Sequence, residues 1–260
     1  MSEEENKVGV FTVTDLGQSM EGDMSSSKKK TDVFEKYVQP CLAELFGTCL
    51  FVFAGCASVI GNAGSTGVIQ PAVAHGLALG VMIMVFGQIS GGHFNPAVSL
   101  AAYLCGGMEL LLLVPYILAQ MLGGLAAAGL TKAVFPSAMY DDSLGAAFSV
   151  TSNNLAAVTL AEVIMTVFLT LVVCMGAINS QTRSPLAPFC IGLTVTANIL
   201  AGGILSGACM NPARAFGPAA VANHWRHHWI FWVGPICGAL ITVSIIRFVF
   251  GDKKIRIILK

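Results

Sequence analysis

The fold of this chain is decided by two short stretches, His93-Phe94-Asn95-Pro96-Ala97-Val98 and Met210-Asn211-Pro212-Ala213-Arg214. Each contains the triplet Asn-Pro-Ala, in which asparagine is a favoured N-cap and proline a favoured first residue of a helix. The apolar stretches near 95–104 and 211–222 are about half a membrane long, since an α-helix rises about 1.5 Å per residue. We therefore predict two half-length helices, each beginning at its asparagine.

The rest of the chain has the composition of an integral membrane protein. Hydrophobic residues make up 55% and charged residues 11% of the 260 positions, whereas a soluble domain carries about 25% charged residues to solvate its surface. Nine charged residues fall between Tyr37 and Ile246, and the other nineteen lie in the two ends. A water-facing globule is therefore excluded, and the net charge of zero gives no indication of a nucleic acid partner.

Six longer apolar segments predict transmembrane helices, because a helix needs about 20 apolar residues to cross the hydrocarbon core. Together with the two half-length helices they predict an all-α integral membrane protein with six transmembrane helices and two re-entrant half-helices. The six predicted spans lie near 38–60, 71–89, 110–134, 156–178, 187–205 and 229–250.

The sequence also contains an internal repeat. Gly91–Ala97 matches Gly207–Ala213 at an offset of 116 residues, and Leu42–Thr48 matches Leu160–Thr166 at an offset of 118. Each copy contains three spans, an odd number, so the second copy must enter the membrane upside down. Inverted repeats with interrupted helices at matching positions are typical of membrane proteins that carry a permeation site at the midplane.

The positively charged residues predict the orientation of the chain. With both ends in the cytoplasm, eleven of the fourteen Lys and Arg residues lie on the cytoplasmic side, and two, Lys132 and Arg226, lie outside. This distribution agrees with the excess of positive charge on cytoplasmic loops. The predicted domains are a disordered cytoplasmic tail at 1–36, a channel domain at 37–250 with repeat one at about 37–134 and repeat two at about 156–250, and a cytoplasmic C-terminal tail at 251–260.

Two half-helices that enter from opposite faces would meet, N-terminus to N-terminus, at the centre of the bilayer. Each N-terminus carries about +0.5 of an elementary charge. The junction would therefore repel cations and present the amides of Asn95 and Asn211 as donors to a passing oxygen atom. A capped helix with no further role is the alternative for one triplet alone, but two copies at equivalent repeat positions favour a pore.

Arg214 directly follows the second triplet. An arginine within a membrane costs about 2.5–3.5 kcal/mol on insertion scales, so we expect this side chain to face a water-filled pore. A structural ion pair is the alternative, for which Glu44 and Glu162 are the acidic candidates within the spans. These glutamates occupy equivalent repeat positions, and we interpret them as bracing the half-helix loops through backbone N–H groups.

With these motifs the chain resembles the major intrinsic protein (aquaporin) family over roughly residues 37–250, and the segment His228–Pro235 is also similar to that family. The resemblance implies a right-handed bundle of six helices plus two half-helices, assembled as a homotetramer with one pore per subunit. It also implies a passive channel with two constrictions. One is the junction of the paired motifs, Asn95-Pro96-Ala97 and Asn211-Pro212-Ala213, and the other is an outer selectivity filter.

Alignment to the family places that filter at His75, Ile199, Ala208 and Arg214. Strictly water-selective members have an aromatic ring at the first position and histidine at the second, and this chain departs from both. The pattern resembles the aqua-ammoniaporin and peroxiporin group, which implies water, ammonia and hydrogen peroxide as permeants. A strictly water-selective channel is the alternative. A glycerol or urea facilitator is less well supported, because glycerol channels resemble one another in having aspartate where this chain has Ala215. Flanking residues that carry the same group resemblance are Cys209, His224, Trp225, Arg256 and Leu259.

Two filter-region residues carry separate hypotheses. His75 is expected to donate to permeants and to change protonation near its unperturbed pKa of about 6.5; a packed, hydrogen-bonded histidine is the alternative. Cys209 lies two residues before Asn211 and is predicted to be exposed to the pore and sensitive to mercurials, with a buried packing thiol as the alternative. The other cysteines contain no C-x-x-C pair and are predicted to be apolar packing residues. They are Cys41, Cys49, Cys56, Cys105, Cys174, Cys190 and Cys237.

Other classes of function fit the sequence less well. A coupled secondary transporter also uses inverted repeats and needs an intramembrane acid, for which Glu44 and Glu162 are candidates. No zinc motif and no Gly-x-Ser-x-Gly sequence is present, so we expect no enzyme activity, cofactor or metal. A purely structural membrane protein would have no use for Arg214. The partners expected are the permeants and membrane lipid, in the plasma membrane or alternatively in intracellular vesicles or the inner mitochondrial membrane.

Overall fold

The structure is a computed structural model that describes residues 33–62 and 66–257. Within these residues the chain forms nine α-helices and no β-strand. Six of the helices are long and apolar enough to cross a membrane. In chain order the helices are α1 Phe34–Ile60, α2 Ile69–Ser90, α3 Pro96–Leu104, α4 Leu110–Val134, α5 Ser137–Asp142, α6 Leu155–Ile178, α7 Ala187–Ser206, α8 Pro212–Ala222 and α9 Ile230–Phe250.

The predicted all-α architecture with six membrane-spanning helices is confirmed, and each span begins and ends within a few residues of its predicted boundary. The half-length helices α3 and α8 begin at Pro96 and Pro212, each directly after its asparagine. Helix α1 begins earlier than expected, at Phe34, so the last residues of the predicted amino-terminal tail belong to its first turns. The rest of that tail, residues 1–32, lies outside the described residues.

The two repeats interlock through their half-helices. Helix α1 packs against α4 in repeat one, as α6 packs against α9 in repeat two, while α2 and α7 pack against each other. Helix α3 packs against both α9 and α4, and α8 packs mainly against α4, so each half-helix contacts the last span of the opposite repeat. This exchange brings the N-termini of α3 and α8 together.

Close approach of α2 and α7 depends on glycine. A Cβ atom added to Gly76 would lie 2.5 Å from the Gly192 carbonyl oxygen, and one added to Gly192 would meet the Gly76 carbonyl oxygen in return. Such a distance is far below van der Waals contact, so neither position accepts a side chain without separating the helices. Small residues at helix crossings are how membrane proteins bring backbones together.

The outer surface of the bundle is apolar, and its buried interior combines apolar clusters with several charged and amide side chains. Glu44, Glu162, Asn95, Asn211 and Arg214 are all buried. Every span exposes large apolar side chains, among them Phe46, Leu77, Leu118, Ile164, Ile204 and Leu240. This surface suits contact with lipid tails, and the chain is an integral membrane protein.

Candidate functional site

The two half-helices are capped in the same way. Asn95 and Asn211 have extended backbones, with φ of −160° and −151°, and their side-chain oxygens accept hydrogen bonds from the first turns. Asn95 Oδ1 accepts from the Ala97 N–H at 2.9 Å. Asn211 Oδ1 accepts from the N–H groups of Ala213 at 3.0 Å and Arg214 at 3.2 Å. The side-chain oxygen of each asparagine therefore accepts hydrogen bonds from the helix that it caps.

The nitrogen of each amide reaches across to the opposite repeat. Asn95 Nδ2 donates to the Met210 carbonyl oxygen at 2.8 Å, and Asn211 Nδ2 donates to the Phe94 carbonyl oxygen at 2.9 Å. A primary amide carries two N–H donors, so each asparagine retains a second donor after its cross-bond. Both asparagines line one cavity of about 790 Å³, which we call the larger cavity. The junction can therefore offer two N–H groups to an oxygen atom in that cavity.

The backbone before each asparagine is left-handed. Phe94 and Met210 have φ of 49° and 55°, a region that non-glycine residues enter only when surrounding interactions hold them there. Buried carboxylates supply those interactions. The N–H groups of His93 and Phe94 donate to Glu44 at 2.9 and 2.6 Å, and those of Cys209 and Met210 donate to Glu162 at 2.8 Å each.

Further polar side chains complete these carboxylate sites. The Ser90 hydroxyl donates to Glu44 and the Ser206 hydroxyl to Glu162, again at equivalent repeat positions. Gln120 Nε2 donates to Glu44 at 2.8 Å. Both carboxylates therefore accept hydrogen bonds from backbone and side-chain groups of the loops. Sequence reasoning missed the two serines, although the offset of 116 that aligns the loops also aligns Ser90 with Ser206.

Arg214 is buried, with 3% of its surface exposed. Its Nη1 atom donates to the carbonyl oxygens of Ala208 at 2.8 Å and Cys209 at 2.9 Å. The guanidinium carbon lies 4.7 Å from the centre of the Phe148 ring, a cation–π contact that sequence reasoning did not anticipate. Within residues 33–62 and 66–257 no carboxylate forms a salt bridge with it. The ion-pair alternative thus lacks a partner in this part of the chain.

A second cavity, of about 320 Å³, is also lined by Arg214, and we call it the smaller cavity. Arg214 lines both cavities, so its side chain stands between them. His75 and Ile199 line the smaller cavity, whereas Ala208 reaches the region through the carbonyl oxygen that binds Arg214. The structure therefore places His75, Ile199 and Arg214 around one cavity, and Ala208 contacts Arg214 without lining that cavity. Phe148 lines the smaller cavity as well.

His75 is fixed by its surroundings. Its Nδ1 atom lies 2.7 Å from the Pro71 carbonyl oxygen, and because a carbonyl only accepts, Nδ1 carries the hydrogen. The imidazole also contacts the Phe51 ring edge-on, with centroids 6.1 Å apart. A Cβ added to Gly55 would collide with the ring at Nε2. His75 therefore has little freedom to turn away from the smaller cavity.

Cys209 lines the larger cavity, whereas His75 lines the smaller one. Its side chain is 1% exposed, and its thiol donates to the Asn211 carbonyl oxygen at 3.1 Å. No group of three or more histidine, cysteine or acidic side chains that could hold a metal ion occurs in the described part of the chain. The site consists of hydrogen-bond donors, one cation and apolar walls.

Comparison with known proteins supplies the context for this geometry. A family model described as Major intrinsic protein matches residues 31–246. Among curated proteins, the chain is 51% identical to aquaporin-8 of Rattus norvegicus, over 92% of each chain. It is 53% identical to aquaporin-8 of Mus musculus, over 87% of this chain and 88% of the relative. Aquaporin TIP1-2 of Zea mays is 40% identical, over 82% of this chain and 86% of the relative.

A solved structure shares the fold. The X-ray structure of the aquaglyceroporin from Plasmodium falciparum superposes with a TM-score of 0.71. The match covers 80% of this chain and 95% of that one, at 22% sequence identity. The arrangement of spans and half-helices is therefore shared.

Proposed function

We propose that the permeants of this protein include ammonia and hydrogen peroxide and that it excludes protons and ions. The premise is that the chain belongs to the major intrinsic protein family. It is therefore a membrane channel for water and small solutes and not an enzyme. The observation that carries the proposal is the wall of the smaller cavity. His75 and the aliphatic Ile199 stand there beside Arg214, where a water-selective filter would have an aromatic ring and a histidine. This exchange leaves fewer ring atoms around the opening and a different set of donors.

The electrostatics of the junction support exclusion of protons and cations. Two helix N-termini meet at Asn95 and Asn211, and each contributes about half a positive charge. The free amide N–H of each asparagine would bind the oxygen of a passing water, so that neighbouring waters cannot all align to relay a proton. Arg214 adds a full positive charge that no salt bridge neutralises among the described residues. A neutral solute of water-like size meets none of these barriers.

Three alternatives are distinct from this proposal. A strictly water-selective channel would pass water and exclude ammonia at the smaller cavity. A glycerol or urea facilitator is disfavoured because Ala215, not an acidic residue, follows Arg214. A coupled transporter would need Glu44 or Glu162 to release a proton to a cavity, yet both carboxylates are fully buried and occupied by loop N–H groups.

The setting of the channel is part of the proposal. The bias of Lys and Arg toward one side supports an orientation with both termini in the cytoplasm. The apolar outer faces of the spans support both lipid contact and assembly into a homotetramer. We place the channel in the plasma membrane, with intracellular vesicles and the inner mitochondrial membrane as the alternatives.

The test is a permeability measurement on the purified protein in liposomes. Osmotic shrinkage reports water, an enclosed pH dye reports ammonia, and an enclosed peroxide-sensitive dye reports hydrogen peroxide. We expect all three permeabilities to exceed those of protein-free liposomes, without electrical current and without dependence on an ion gradient. Arg214→Val should admit current, whereas Arg226→Val, at an exposed loop arginine, should not. If water permeability rises and ammonia permeability does not, the ammonia proposal is wrong and the protein is a water-selective channel.

A further inference from the structure

Two cysteines that the pore does not use are buried together where the end of α3 meets the end of α6. Cys105 is the C-cap of α3, and Cys174 begins a π-helical segment, Cys174–Ile178, at the end of α6. Their side chains are 3% and 1% exposed and belong to one apolar cluster. The end of α3 also contacts this π-helical segment. The fold therefore packs the two thiols into one small buried cluster, although 69 positions separate them in the sequence.

A guanidinium stands beside this pair. Arg247 Nη1 donates at 3.1 Å to the carbonyl oxygen of Leu104, the residue before Cys105. The Arg247 Nε atom is buried and has no hydrogen-bond partner among the described residues. This hydrogen bond holds the guanidinium beside the backbone that leads into Cys105. A cation next to a thiol favours the thiolate, which is the form that reacts with oxidants.

The pair adjoins the larger cavity. The residues that follow each cysteine line the larger cavity. After Cys105 these are Gly106 and Gly107, and after Cys174 they are Gly176, Ala177 and Ile178. The two segments also touch, since a Cβ added to Gly107 would lie 2.9 Å from Ile178 Cδ1. A water-sized solute in the larger cavity therefore comes to the wall directly next to both thiols.

We propose that Cys105 and Cys174 are a redox pair that hydrogen peroxide oxidises to a disulfide. The Cys105 thiolate attacks one peroxide oxygen, the O–O bond breaks, and the departing hydroxide takes a proton to become water. The resulting Cys105 sulfenic acid is attacked by the Cys174 sulfur. The S–S bond forms, and the hydroxyl group leaves as a second water with the Cys174 proton. Two thiols are oxidised, and one peroxide is reduced to two waters.

The disulfide changes the wall of the larger cavity. Bonded sulfurs lie about 2.05 Å apart, closer than two thiols in non-bonded contact. The bond therefore draws the end of α3 toward the π-helical segment of α6, and Gly107 toward Ile178. We expect a narrower cavity mouth and lower water permeability, restored when a dithiol reductant cleaves the bond. Delivery of peroxide to this cavity in a membrane rests on the proposed function, whereas the reaction itself does not.

The experiment treats the purified full chain in detergent with hydrogen peroxide or with diamide and maps disulfides by peptide mass spectrometry. We expect a peptide pair joined through Cys105 and Cys174 with both oxidants, unchanged in Cys190→Ser, a control at an exposed thiol. Arg247→Gln should slow the peroxide reaction more than the diamide reaction. Absence of the joined peptides with both oxidants, or joining of Cys105 or Cys174 only to other cysteines, overturns the proposal. Bulk peroxide reaches the detergent-solubilised protein directly, so failure of peroxide permeation in liposomes would leave this result intact.

A second arm tests the effect on the channel. Water permeability of proteoliposomes is measured before diamide, after diamide and after dithiothreitol. We expect a reversible loss in the wild type and none in Cys105→Ser or Cys174→Ser. If the joined peptides form and water permeability stays the same, the narrowing of the cavity mouth is refuted.

Discussion

The Asn95 side-chain amide donates to the Met210 backbone carbonyl across the centre of the bundle, at 2.8 Å. The reciprocal bond runs from Asn211 to the Phe94 carbonyl at 2.9 Å. Each asparagine therefore caps its own half-helix with its oxygen and fastens the opposite loop with its nitrogen. The same two residues that face the permeant also join the two repeats, so pore chemistry and fold stability are coupled at this point.

Replacement of Asn95 by alanine tests this coupling. The variant loses an N-cap, which typically costs about 0.5–2 kcal/mol, and leaves the buried Met210 carbonyl without its donor, which costs about 1–3 kcal/mol more. We expect a lower melting temperature in detergent and a loss of water permeability. Asn154→Ala is the matched control, because Asn154 caps α6 through Ala157 at the exposed end of that helix. Equal melting shifts for the two variants would contradict the role of the cross-bond.

The carboxylate at Glu162 gives a second prediction. Glu162→Gln places an amide where the Cys209 and Met210 N–H groups donate, and hydrogen bonds to charged groups are worth about 1.5–3 kcal/mol each. We expect marked destabilisation and loss of flux for every permeant. Glu109→Gln removes an exposed carboxylate that pairs with Lys36, and thermal melting should detect little change. A stable Glu162→Gln protein that lost only ion-coupled flux would instead support a transporter.

Much of the fold was predictable because membrane spans and helix caps are local properties of the sequence. Hydrophobic length gave the six spans, and the Asn-Pro pairs gave the starts of α3 and α8. The equivalent repeat positions of Glu44 and Glu162 predict that they brace the half-helix loops, and both carboxylates accept hydrogen bonds from loop N–H groups.

Contacts that depend on tertiary packing were not predictable in the same way. Phe148 lies in an irregular stretch between α5 and α6, and no local pattern indicates that its ring will stack on Arg214. The cross-bonds from Asn95 and Asn211 end on backbone carbonyls, which every residue possesses. The burial of Cys105 and Cys174 in one cluster depends on how α3 meets the end of α6.

Gly55 offers a direct test of the filter position assigned to His75. An alanine methyl group at Gly55 would collide with the imidazole and must displace the ring or the helix. We expect Gly55→Ala to lower the permeability to water and to ammonia in liposome assays. Gly129→Ala is the control, since a Cβ there meets nothing within 4 Å. The double variant Gly55→Ala, His75→Ala should recover flux; a double variant as slow as the single one would place the obstruction elsewhere.

Mercurial sensitivity distinguishes the two cavities. Cys209 lines the larger cavity and Cys56 lines the smaller one, and both thiols are buried. We expect a mercurial to block water permeability in the wild type and in Cys56→Ser but not in Cys209→Ser. Block that survives in Cys209→Ser and disappears in Cys56→Ser would assign the reactive thiol to the smaller cavity.

The carboxyl-terminal segment is held by Asp252. The Ser180 hydroxyl, followed by backbone N–H groups of Ser180, Ile255 and Lys254, lowers the pKa of the Asp252 carboxyl from its ordinary 3.8 to about 2. Asn179 Oδ1 also accepts from the Asp252 N–H at 2.8 Å. A depressed pKa stabilises the folded form above the ordinary pKa, and this stabilisation is lost as the pH falls toward 2. The docked segment should therefore be insensitive to pH between 5 and 8.

The corresponding variant is Asp252→Asn, which keeps the size of the side chain and removes its charge. Since the amide cannot accept from Ser180 and the tail N–H groups as the carboxylate does, we expect trypsin to cleave after Lys253 and Lys254 faster at neutral pH. Asp142→Asn, at an exposed aspartate of α5, should leave the cleavage rate unchanged.

Hydrogen exchange of residues 253–257 in the wild type should differ between pH 5 and pH 8 only by the intrinsic exchange rate. Additional loss of protection at pH 5 would mean that a group other than Asp252 controls the docking of the tail.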